Sequence, residues 1–220
     1  MPRPESPVKS IYRAILADGL APPLLARGFK SRERGETFVR SAGDVDFHAG
    51  ASFLSRGGAF GIAQIAVGLS FRSVQSALRR FAGDEPSNLR SGGGIVTNLS
   101  TLVAHRTGRS PTWDTLDASS SDPPAVAALL RADVTAHALP FLDDHADPAR
   151  AIAYWSTPPH RDPHALAVAL ALRGDRPAAR HAADSIIADA RATAARVPGP
   201  QADRQLATAL RFAEFVDTLG

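Results

Sequence analysis

Seven histidines, twenty-two Asp and Glu residues and no cysteine bound the chemistry open to this 220-residue chain. His160 and His164 stand four apart, the spacing that sets two imidazoles on one helix face as zinc ligands. Pro159 and Pro163 oppose a continuous helix there, so no metal site is expected from them. "LDDHAD" gathers Asp143, Asp144, His145 and Asp147, oxygen-rich enough to hold a hard cation weakly. A helix C-terminus followed by an N-cap aspartate explains the same residues better, because Asp147 precedes a proline. "SRGGAFG" and "RSGGG" lack the glycine spacing of a dinucleotide loop and the Lys-Ser/Thr of a phosphate loop, and both lead toward strands. No Gly-x-Ser-x-Gly elbow is present for acyl transfer. The absence of cysteine removes disulfides, thiolate metal sites and cysteine nucleophiles. No catalytic residue, metal site or cofactor is expected.

Charge supplies the remaining lead. "LLARGFKSRERGETFVR", residues 24–40, holds Arg27, Lys30, Arg32, Arg34 and Arg40 against Glu33 and Glu36. Residues 1–110 carry fifteen Lys/Arg against eight Asp/Glu, and residues 111–220 carry ten against fourteen, within a net charge of +3. Oppositely charged halves suit electrostatic docking of a partner. A nucleic-acid arm would need aromatics interleaved with the cations on one face. Alternation instead assigns Phe29 and Phe38 to the buried side and Lys30 and Arg32 to water. His48 shares the polar side of its strand with Asp46, where an imidazole can titrate near neutrality or touch a partner. The expected recognition surface is Arg32, Arg34, Arg40, His48 and Trp113, and the expected partner is another protein, with nucleic acid as the alternative.

Two regions position these residues. Val8, Ile11, Tyr12, Ile15 and Leu16 form a helical stripe, with Ser6 as N-cap and Pro7 at the first position, and Pro22 and Pro23 then interrupt or bend the helix. From Phe29 the period changes to two. "FKSR", "ETFVR", "VDFHAGASF" and "FGIAQIAVGLSF", joined by turns at Glu33–Gly35, "AGD" and "SRGG", predict an antiparallel meander of four strands. "SVQSALRRF" predicts a helix capped by Ser73 and ended by "GDEPSN"; "IVTNLSTLVAH" predicts a fifth, bent strand, and "TWDTL" an edge pairing. Beyond "ASSSDPP", residues 122–220 read as helices opening on Asp-Pro pairs, with Pro140 bending or breaking the first and "GDRP" closing an α-hairpin. The expected class is α+β: residues 1–121 a helix plus an antiparallel sheet of about five strands, residues 122–220 a helical part. No secretory h-region or long apolar run is evident, so the cytoplasm is the expected compartment and no membrane partner is expected.

The words "LLARGFKSRERGETFVR", "IAVGL", "TWDTL" and "HALPFLD" occur in that order over roughly residues 8–155. In this the chain resembles the uncharacterised bacterial family known as domain of unknown function 4304. The resemblance implies a leading helix, a "GF-basic" hairpin, further strands and a closing helix, and carries no established activity. Ala51 or Ser52 stands where the pattern has a Gln, and Ala66 where it has an Asn, so any site those polar groups serve is reduced here. The function expected is a non-catalytic protein-binding or accessory module, immunity-type included; the alternatives are an enzyme whose site forms only in three dimensions and a nucleic-acid-binding domain.

Overall fold

The computed structural model describes residues 6–56, 59–83 and 92–219, with the side chain of Arg34 also outside the described set. The second half of the "SRGG" turn, most of "GDEPSN" and the start of "RSGGG" therefore lie outside the described residues. The chain divides into two compact units, Met1–Leu69 with Val96–Asp144, and Ser70–Ile95 with His145–Gly220.

In the first unit, α1 (Pro7–Ile15) starts at Ser6 and Pro7, and its stripe buries Val8, Tyr12 and Ile15. Neither Pro22 and Pro23 nor Pro140 breaks a helix. A π-helical turn, Leu16–Leu20, carries α1 directly into α2 (Ala21–Ala26), with the Ala21 N–H reaching back to the Leu16 carbonyl. A second π turn, Val134–Ala138, joins α5 (Pro123–Asp133) to α6 (Leu139–His145), with the Leu139 N–H on the Val134 carbonyl. Each wide turn ends two residues before a proline, Pro22 or Pro140. Widening the turn relieves the clash between a proline ring and the preceding carbonyls that would otherwise kink the helix. Pro22 also lacks the N–H that the Asp18 carbonyl would accept, and the Arg131 guanidinium on α5 donates to that oxygen instead, from Nε at 3.0 Å and from Nη2. Gly19 makes this approach possible, since a Cβ there would lie 2.9 Å from the Ala127 carbonyl oxygen.

The sheet has six strands: β1 (Lys30–Arg32), β2 (Thr37–Ala42), β3 (Val45–Arg56), β4 (Phe60–Phe71), β5 (Gly94–Asn98) and β6 (Thr115–Asp117). Their order is β1-β2-β3-β4-β5, with β6 pairing β4 antiparallel through Phe60–Asp117 and Ile62–Thr115. A 3-10 turn, Glu33–Gly35, closes the first hairpin, as the charged glycine-containing turn predicts. Two expectations are corrected. The residues after Asn98 form a helix, α4 (Leu99–Thr107), because the Asn98 side chain accepts the Ser100 N–H at 2.9 Å and caps it. α3 (Arg72–Ala82) begins after Phe71, so Ser73 is inside the helix and is not its cap.

One face of the sheet makes the core. Phe38, Val45, Phe47, Ala49, Ala63, Ile65 and Val67 are all buried, and each fully buried large side chain contributes about 1.5–3 kcal/mol. α1 covers this face through Tyr12, whose ring stacks on Phe53 at 4.8 Å. Gly61 leaves room for that ring, because a Cβ there would come within 2.2 Å of Phe53. By length and composition the helix Pro123–His145 could span a membrane. Here its Leu130, Val134, Phe141 and Leu142 are buried in the unit.

The second unit holds α3, α7 (Pro148–Ser156), α8 (Pro163–Leu172), α9 (Arg176–Arg196) and α10 (Pro200–Asp217). Asp147, Asp162 and Asp175 cap α7, α8 and α9 by accepting backbone N–H bonds at 2.7, 3.0 and 3.2 Å. The aspartate before proline is thus an N-cap, and "LDDHAD" ends one helix and starts the next. Alanines 165, 167, 169, 171, 179, 182 and 183 are buried, giving close packing between α8 and α9.

Candidate functional site

The other face of the sheet lies open over β1, β2, β3 and the first half of β4, up to Ala66. Alternation along β1, β2 and β3 sends Lys30, Arg32, Val39, His48 and Ser52 to the side opposite Phe38 and Phe47. The register sets Lys30 beside Val39 and Val39 beside His48 in one row, and Arg32 beside Thr37 and Thr37 beside Gly50 in the next. On β4 the same side shows Phe60, Gln64 and Ala66, all exposed, and then Gly68 and Ser70, both buried. Leu54 and Phe60, 53% and 52% exposed, place two large apolar side chains at the end of this face where β3 turns into β4. Lys30, Arg32 and His48 form the cationic margin. Asp46 shares the face, with its carboxylate accepting from Ser41 Oγ at 2.5 Å.

The face, and not the edge, is suited to a partner. β1 is three residues long and two of them are Lys30 and Arg32, so the outer edge is both short and charged, which opposes pairing with an added strand.

The structure brings together only part of the expected surface. Arg32 and His48 are exposed on the open face, together with Lys30. The backbone of Arg34 belongs to the 3-10 turn, and its side chain is outside the described residues. Arg40 turns the other way. Its guanidinium carbon lies 4.1 Å from the Phe47 ring centroid and 5.1 Å from that of Phe29. Its Nη1 donates to the Arg27 carbonyl at 3.1 Å, and Nη2 is 3.8 Å from Asp143, which also pairs with Arg27. Arg40 is therefore a clamp joining β2 to the ends of α2 and α6. Its even position in β2, two residues after Phe38, fixes this orientation, and the surrounding run of charge masks it.

Trp113 is corrected from surface to core, being 1% exposed. Its Nε1 donates to Asp133 Oδ2 at 2.8 Å. Asp133 is itself buried, and its other oxygen lies 3.8 Å from both Arg109 and His137. This carboxylate ties the loop before β6 to α5 and serves the fold. Tyr12, whose hydroxyl is buried with no hydrogen-bond partner among the described residues, has its ionisation pushed up by burial and then by the charge of Glu36.

Among the described residues no group of three or more His, Asp or Glu is placed to hold a metal. His160 stacks on Tyr154 at 4.3 Å, with its Nδ1 2.9 Å from the phenol oxygen, while His164 meets Phe212 edge-on at 4.7 Å. The two imidazoles thus have different ring partners. The apolar residues missed in the sequence are Leu54 and Phe60, whose side of the sheet follows from alternation along β3 and β4. No family model, no curated protein and no solved structure matches this chain.

Proposed function

We propose that the protein is a non-catalytic docking module of the cytoplasm that binds a partner protein on the open sheet face. Leu54, Phe60 and Ala66 supply the apolar contact, and Lys30, Arg32 and His48 steer an acidic patch of the partner onto the margin of the same face. The observation that carries this reading is the sheet itself: one face packed under α1, the other exposing large apolar side chains beside exposed cations. A protein partner is favoured over nucleic acid because Phe29, Phe38, Phe47 and Phe53 all belong to the helix-covered side, leaving Phe60 at one corner as the aromatic on the open face.

Relation to the uncharacterised family is part of the same proposal. Its support is the order of the quoted words; of the departures, Ala66 falls on the open face, and the one at Ala51 or Ser52 straddles the two sides of β3.

A photo-crosslinking residue placed at His48 or Ala66 tests the reading in the native cell, with Arg191 on α9 as the control position. Discrete adducts with an acidic protein from positions 48 and 66, and none from 191, are expected. No adduct from the face, adducts with nucleic acid, or the same adducts from all three positions would overturn it.

A further inference from the structure

The helical unit holds a cleft of about 530 Å³ that is independent of the open face. α9 and α10 run antiparallel across the short link Val197–Gly199, and the first turn of α8 contributes Pro163 and His164 to the cleft. Helical spacing puts Ile186, Asp189 and Thr193 on one stripe of α9, and Gln201, Arg204, Gln205 and Thr208 on one stripe of α10. Polar and apolar lining in a concavity of this size is what small-molecule sites use, typically at about 300–1,000 Å³.

Thr193 and Thr208 are hydrogen-bonded within their own helices, but the other polar side chains of the cleft are unspent among the described residues. His164, Asp189, Arg204, Gln201 and Gln205 make no side-chain hydrogen bond or ion pair with any described residue. Elsewhere on α9, Arg180 pairs with both Asp184 and Asp217, so the helix readily forms ion pairs where partners come within reach. Asp189 and Arg204 line the same cleft, both exposed, and form no ion pair with each other. Two opposite, unpaired charges beside the apolar Ile186, Pro163 and Ala209 are complementary to a ligand that carries both charges itself. A simple anion would satisfy Arg204 and face repulsion from Asp189; a simple cation would do the reverse.

We propose that this cleft binds a small zwitterion of the α-amino-acid class, its carboxylate on Arg204, its ammonium on Asp189, and its side chain against Ile186 and Ala209. The flanking amides of Gln201 and Gln205 supply both donors and acceptors for the ligand's polar groups. Burial makes His164 harder to protonate, only partly opposed by Asp162, so at neutral pH it adds a donor and an acceptor without a third charge.

The test is a nuclear magnetic resonance titration of the full chain with each proteinogenic amino acid at millimolar concentration, with acetate and methylammonium as half-ligand controls. At least one amino acid is expected to shift the amide signals of α9 and α10 saturably, while neither control does. Arg204→Ala and Asp189→Ala should each weaken that binding by about tenfold or more without changing Tm. The proposal is overturned if no amino acid gives a saturable shift, if acetate or methylammonium alone binds as well, or if binding survives both substitutions.

Discussion

Two sets of charged side chains, one in each unit, are used in opposite ways. In the sheet unit one set is committed: Arg40 lies against Phe29 and Phe47, Arg131 fills the carbonyl freed by Pro22, and Asp133 receives the Trp113 indole. In the helical unit the charges lining the α8–α10 cleft have no partner among the described residues. Charge run and residue type alone therefore do not mark a functional position. A committed charge holds the fold, and its removal leaves a buried group unsatisfied. An uncommitted one is available to a ligand, and its removal costs the fold little.

Disrupting the committed set should produce the largest effects. Gly19→Val forces a side chain against the Ala127 backbone, which cannot rotate away as a side chain would, and should destabilise by about 3 kcal/mol or more in urea unfolding. Asp133→Ala leaves the Trp113 N–H buried without an acceptor and should cost about 2–3 kcal/mol in the same experiment.

A smaller effect separates the two sets through pH. Burial lowers the pKa of His164, so as pH falls through the ordinary imidazole value of about 6.5 the unfolded chain takes up a proton that the folded chain resists. Stability is thus fully present above that value and declines on acidification. Asp162 reduces the effect without reversing it, and Asp189 and Arg204 are the charged residues that line the same cleft among the described residues. His164→Gln should remove this part of the decline in Tm between about pH 7.5 and pH 5.5, leaving the remainder, due to other groups, unchanged. The smallest effect belongs to the uncommitted set: Arg204→Ala should alter unfolding free energy by less than about 0.5 kcal/mol.

Legibility in the sequence followed the range of the interaction. Alternation in "ETFVR", "VDFHAGASF" and "FGIAQIAVGLSF" identifies the buried and open sides of three strands, because a strand's two faces are a local property. Asp-Pro pairs announce α7 and α8 for the same reason. Trp113 could not be placed this way, since its acceptor lies twenty residues downstream on a helix. Nor could the survival of the helices through Pro22 and Pro140, which depends on wide turns and, for Pro22, on an arginine more than a hundred residues away. "IVTNLSTLVAH" misleads through its β-branched residues, although Asn98 before Leu99 carries the capping signal. The stripes of α9 and α10 are visible at helical spacing, but only their packing shows that Asp189 and Arg204 line one cleft.

Docking on the open face stands or falls with charge reversal at its margin. Lys30→Glu combined with Arg32→Glu changes two exposed residues on a strand that buries neither. With the photo-crosslinking residue at Ala66, the double variant should keep the Tm of the parent chain and lose the acidic-partner adduct. Retention of that adduct at parental yield would refute docking at this face, and so would its loss only in proportion to a loss of folded protein.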